Sequence, residues 1–108
     1  MNAWIILSIS IAAEVSGNIL LKTSQGLSKF MPTVGMALCY IAAIWLMGIV
    51  TKQLEIGITY AIWAGAGTAL TAVLGILIFS ENVSPIKILG VGCIVVGVGL
   101  LNLSQSTT

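Results

Sequence analysis

The chain has 108 residues, of which 58% are hydrophobic and only 6% charged, with a formal net charge of +1. Its mean hydropathy is +1.15. Soluble domains carry about 25% charged residues, so this composition cannot cover a water-exposed surface and points to an integral membrane protein. There is no His, Arg or Asp, and the only strong charges are Glu14, Glu55, Glu81, Lys22, Lys29, Lys52 and Lys87. That inventory excludes a nucleic-acid surface, a nucleophile–base pair and a His/Cys metal cluster. An enzyme, a cofactor and a resident metal are therefore not expected.

The first apolar segment covers residues 3–21. About 20 residues at 1.5 Å each cross the ~30 Å hydrocarbon layer. Glu14 sits near its centre, where a carboxylate costs at least ~2.5 kcal/mol. On a helix, Leu7, Ser10, Ile11, Gly17, Asn18 and Leu21 share its face. The structural alternative is an acid hydrogen-bonded to Ser10 or Asn18 as helix glue. The functional reading is a carboxylate that binds a proton or a cation. The segment has no charged n-region and no clear cleavage site, so it is expected to stay as a helix rather than leave as a signal peptide.

A polar break from Lys22 to Lys29 follows, and Pro32 suits the first turn of a second helix over residues 31–50. Tyr40 and Met47 share one face of that helix. Thr51 to Glu55 form the next break. The third segment, 57–79, is the longest. Tyr60, Trp63 and Gly67 recur on one of its faces, and aromatic faces attract organic cations by ~0.5–2 kcal/mol each. An interfacial belt is the alternative. Trp63 lies several residues inside its helix, so that role suits Trp4 better. Gly65 and Gly67 in mid-helix lower its stiffness and make a conformational hinge.

Ser80 to Pro85 lead into a fourth segment over residues 86–103, with a polar tail, 104–108, expected to fray. Gly90 and Gly97 are seven apart, as are Gly92 and Gly99. Such spacing returns each pair to one face where backbones approach closely in a membrane. Packing within the chain is the alternative. The absence of a polar face on this helix favours a contact between chains. Cys39 and Cys93 fall inside apolar runs and are read as small core residues.

Four crossings put both termini on one side. The breaks after the first and third helices hold Lys22, Lys29 and Lys87, and the opposite side holds Lys52. The positive-inside rule places the three-lysine side in the cytoplasm. An excess of only two permits insertion in both orientations. A bundle of four short helices leaves little protein around a cavity at Glu14, which argues for an oligomer, most simply a dimer.

Ala13-Glu14-Val15-Ser16-Gly17, Leu21-Lys22, Ser24 and Gly26, Pro32, Tyr60-Ala61-Ile62-Trp63-Ala64-Gly65 and Glu81 stand in register along nearly the whole chain. The combination of the mid-helix acid with the Tyr-Ala-Xaa-Trp-Xaa-Gly run is specific, and it resembles the small multidrug resistance family. The pattern is most similar to the branch that exports quaternary ammonium compounds. The resemblance implies one all-α, four-helix transmembrane domain over residues 1–108, working as an antiparallel, dual-topology homodimer in the inner or plasma membrane. It implies a proton-coupled antiporter of lipophilic and quaternary ammonium cations, acting by alternating access. In that family the two copies of Glu14 form the shared site for protons and cation, and Tyr60 and Trp63 wall the pocket. The same resemblance carries Tyr40 over as an aromatic that influences substrate handling. Ser10, Gly17 and Asn18 complete the expected pocket from the Glu14 helix. Gly65 and Gly67 match the flexible segment, and Gly90 and Gly97 the dimer contact.

Departures bear on the substrate. The guanidinium-exporting branch typically has Gly where Ser10 stands, Trp where Ser16 stands and Ser where Ala42 stands. Asn18 and Ala43 replace a Thr and a Ser of the quaternary-ammonium pattern, and the larger amide of Asn18, one turn from Glu14, is able to hydrogen-bond it. The alternatives within transport are guanidinium export and one subunit of a heteromeric pair. Outside it stand a rotary proteolipid subunit, which leaves Tyr60 and Trp63 unexplained, and a non-transporting membrane scaffold.

Overall fold

A computed structural model describes residues 2–107, with side chains through Ser104; Thr108, the end of the expected tail, lies outside the described residues. Four helices follow one another: α1 (Ala3–Thr23), α2 (Phe30–Val50), α3 (Ile56–Phe79) and α4 (Pro85–Thr107). There is no strand among the described residues. Each helix is long and apolar enough to cross a membrane, and a helix satisfies its backbone groups internally, as the water-free hydrocarbon layer requires. The chain is an all-α, multi-pass membrane protein. The tail expected to fray is helical through Thr107, since no Pro or Gly follows Leu103 to stop it.

The boundaries have local causes. The Asn2 side chain accepts the Trp4 N–H at 2.7 Å and starts α1. Ser84 does the same for α4, accepting the Lys87 N–H at 3.1 Å, with Pro85 in the first position where no donor is needed. The α1–α2 loop is organised by the fully buried Ser24. Its hydroxyl donates to the Leu21 carbonyl at 2.6 Å and accepts the Leu27 N–H at 3.0 Å. Gln25, Gly26 and Leu27 take φ of 51°, 74° and 67°, three successive left-handed residues of which only Gly26 pays no steric penalty.

The contacts divide the chain into two compact units between Leu54 and Glu55, one holding α1 and α2 and the other α3 and α4. In the first, small residues bring the helices together. Ser10 of α1 donates to the Ala43 carbonyl of α2 at 2.7 Å. A Cβ at Gly35 would stand 3.0 Å from Leu20 Cδ1. Ser10 and Ala43 are both buried. The order of these contacts, 10 with 43 and 20 with 35, is that of an antiparallel hairpin.

In the second unit α4 meets α3 through Ile94 and Val98. A Cβ at Gly65 would stand 2.8 Å from Val98 Cγ2 and 3.4 Å from Ile94 Cγ2. No α4 residue through Ser104 is fully buried. Cys93, expected in the core, is exposed, because it is next to Ile94 in sequence and turns off the face that α4 lays on α3. Cys39 is half-buried, and both thiols are free.

Candidate functional site

The first unit places four of the expected residues in one connected group. Gly17, on α1, has no side chain, and the ring of Tyr40 from α2 occupies that space. A Cβ at Gly17 would stand 2.5 Å from Tyr40 Cε1 and 2.7 Å from Cδ1. Drawn in so closely, Tyr40 donates its hydroxyl to Asn18 Oδ1. With its oxygen so engaged, the Asn18 amide presents its NH₂ as donor, and its side chain hydrogen-bonds the Glu14 carboxylate. Gly17, Tyr40, Asn18 and Glu14 thus form one chain of contacts, and each link orients the next. Glu14 itself is half-buried. Its Oε2 is buried with no hydrogen-bond partner, which leaves one carboxylate oxygen as an acceptor for a proton or a cation.

Ser10 shares the helix face of Glu14 but not this group. Its hydroxyl is spent on the Ala43 carbonyl, where it fastens α1 to α2. A pocket role for Ser10 requires that bond to open.

In the second unit Tyr60 and Trp63 stand together on α3, ring centroids 5.8 Å apart and planes tilted by 45°. Tyr60 is 57% exposed. The Trp63 Nε1 is buried without a partner. Gly65 and Gly67 lie in an α3 that runs unbroken from Ile56 to Phe79. Gly65 is also the close-approach point for Val98, a packing role that its mid-helix position did not announce. Apart from the flanking residues and the adjacent turns of the α4 backbone, no atom of the described residues lies within 4 Å of where a Cβ would sit at Gly90, Gly92, Gly97 or Gly99. A 620 Å³ apolar groove lies on α4, lined by Leu89, Gly92, Cys93, Val96, Gly97 and Leu100 among others; it takes in one glycine of each pair and leaves out Gly90 and Gly99.

Glu81 folds back over Gly75, so that a Cβ at Gly75 would collide with its carboxylate. Lys87 Nζ stands 4.0 Å from Glu81 Oε1 and donates to the Asn82 carbonyl at 2.9 Å. These contacts fix the α3–α4 turn. Among the described residues no group of three His, Cys, Asp or Glu is placed to hold a metal.

The sequence profile of the family described as Small Multidrug Resistance protein matches residues 2–94. The quaternary ammonium compound-resistance protein QacG of Staphylococcus sp. (strain ST94) is 43% identical over 93% of this chain and 94% of its own length. The nicotine metabolites export pump subunit NepA of Paenarthrobacter nicotinovorans is 42% identical over 95% and 89%. The multidrug transporter EmrE of Escherichia coli K12 is 37% identical over 100% and 98%.

Proposed function

We propose a transport function from one premise: the chain belongs to the small multidrug resistance family. The three relatives given above are named as a resistance protein, an export pump subunit and a transporter, and none as an enzyme. Our reading is that this chain exports lipophilic and quaternary ammonium cations in exchange for protons, as one transmembrane domain acting with a second copy of itself in the opposite orientation. The observation that carries it is the Glu14 carboxylate in the middle of a membrane-spanning helix, held by Asn18 on one side and with its buried Oε2 unpartnered. Ionisable groups placed so deep mark ion and proton pathways.

The mechanism follows from competition. A cation needs a carboxylate, and protonation removes the negative charge, so proton and cation exclude each other at Glu14. If the transporter reorients only when loaded, competition alone yields exchange. Two Glu14 copies titrate as a pair. Two protons entering for one monovalent cation leaving move one net charge, worth ~2.3 kcal/mol per 100 mV. Each proton adds ~1.4 kcal/mol per pH unit. In an antiparallel pair the inward- and outward-open states are equivalent by symmetry, so alternating access needs only that the two subunits swap conformations. The glycine face of α4, open along Gly90 and Gly97, is where we place the second copy. Tyr60 and Trp63 supply aromatic walls, and Gly65 and Gly67 the bend.

The test is electrical current from proteoliposomes given tetraphenylphosphonium, a benzalkyl quaternary ammonium or guanidinium under a proton gradient. Current with the first two is expected. A response to guanidinium alone would assign the chain to the guanidinium branch despite Ser10, Ser16 and Ala42. One relative is named an export pump subunit, which favours, as second reading, a heteromeric pair, in which case this chain alone is silent and a partner chain restores current.

Trp63→Ala tests the aromatic wall. Affinity for tetraphenylphosphonium is expected to fall about tenfold, and affinity for tetramethylammonium by much less, because the larger cation has more contact with the indole face. An equal loss for both cations would remove Trp63 from the wall.

A further inference from the structure

Three side-chain atoms among the described residues are buried without a hydrogen-bond partner: Glu14 Oε2, Thr59 Oγ1 and Trp63 Nε1. The first belongs to the site already described. Thr59 has no role in that site, and Trp63 enters it only by its ring face, so the hydroxyl and the indole N–H are both unassigned; the two residues are close on one helix. Thr59 and Trp63 are four residues apart on α3, hence neighbours on one face with Cβ atoms about 5–6 Å apart. Tyr60, beside Thr59 in sequence, packs its ring against Trp63.

Thr59 is fully buried. A hydroxyl in a helix normally finds a partner in the carbonyl four residues back. Ser8, Thr23 and Thr33 all do so, donating to Trp4, Ile19 and Lys29 carbonyls at 2.9, 2.9 and 2.6 Å. Thr59 does not: the Glu55 carbonyl takes only its backbone N–H, at 2.9 Å. The available local bond is left unmade, and a buried hydroxyl in that condition is costly unless something else fills the role.

The two groups are complementary. Indole Nε1 only donates, while a threonine hydroxyl donates or accepts. One oxygen that comes within ordinary hydrogen-bond distance of both, about 2.8–3.0 Å from each, completes the two groups together. A ligand hydroxyl satisfies both at once, accepting from Trp63 and donating to Thr59.

We propose that Thr59 and Trp63 form a hydrogen-bonding subsite for an oxygen substituent on the transported cation, which makes Thr59 a specificity-determining residue. The inference rests on the export reading above and adds a substrate feature to it: a hydroxylated cation is preferred to its alkyl isostere. A site built for a hydrogen bond rejects the analogue lacking it, because the buried polar groups are then left unpaired.

The experiment uses two cations of equal size, benzyl-dimethyl-(2-hydroxyethyl)ammonium and benzyl-dimethyl-propylammonium, each displacing tetraphenylphosphonium from the purified protein. Thr59→Val removes the hydroxyl and keeps the shape. The ratio of the two affinities is expected to shift against the hydroxylated cation by about fivefold in Thr59→Val, with the propyl cation bound as before, and to be retained in Thr59→Ser. A second readout needs no variant: the indole N–H resonance of Trp63 moves with the hydroxylated cation and not with the propyl one. The same ratio in wild type and Thr59→Val overturns the subsite, as does an equal loss of both cations, which a purely structural role or a resident water would give. A wild-type protein that does not bind tetraphenylphosphonium at all overturns the reading of this chain as an exporter acting with its own copy, and this inference with it.

Discussion

Glu14→Gln protein is expected to insert and assemble as wild type does, and to give no proton-coupled current with any cation. The substitution is nearly isosteric, and the Asn18 contact is replaceable by an amide–amide hydrogen bond, so the hairpin of α1 and α2 has no reason to open. What disappears is the charge. An ion pair at about 4 Å in an effective dielectric near 20 is worth ~4 kcal/mol, so cation affinity should fall on the order of 10²- to 10³-fold. The pH dependence should go with it. In wild type, cation affinity declines as pH falls, because protonation takes away the carboxylate that the cation needs; in Glu14→Gln there is no proton to add and the profile is flat. Equilibrium binding from pH 5 to 9 measures both. Residual binding with unchanged pH dependence would place the proton site elsewhere.

Gly17→Ala tests how that carboxylate is held. The new methyl would stand 2.5 Å from Tyr40 Cε1, well inside contact distance, so the ring has to move. Overpacking of this kind typically costs about 1–3 kcal/mol. Here it also breaks the bond from the Tyr40 hydroxyl to Asn18 and frees the amide that faces Glu14. The expected result is lower thermal stability in detergent together with an altered pH profile of cation binding. Tyr40→Phe provides the contrast, since it keeps the ring and removes only the hydroxyl. It should reproduce the altered profile with little loss of stability. A Gly17→Ala protein with wild-type stability and profile would show that the four residues do not act as a chain.

The helices were legible because bilayer-length apolar runs interrupted by Lys, Ser, Pro and Gly admit few other structures. Glu14 was legible because its cost in a membrane demands a reason, and Asn18 because it lies one turn away. The contribution of Tyr40 was not, since nothing in sequence reveals that a ring from the next helix fills the space at Gly17. Ser10 shows the opposite limit. Its helical position puts it on the face of Glu14, yet its hydroxyl reaches across to Ala43, and one face of a helix is wide enough for both outcomes. Gly65 suggested flexibility by its lack of a side chain, whereas the same lack lets Val98 approach. Thr59 left no trace among its neighbours in sequence. Only the unmade bond to Glu55 singles it out.

The four glycines of α4 have a further consequence. In a helix interior glycine is about 1 kcal/mol less favourable than alanine, and at Gly90, Gly92, Gly97 and Gly99 no tertiary contact of the described residues stands where a methyl group would go. Judged by the α3–α4 unit alone, alanine at all four is tolerated and adds rigidity. Intolerance measured in a mutational scan of those positions therefore reports contacts made outside that unit rather than the packing of helix four on helix three.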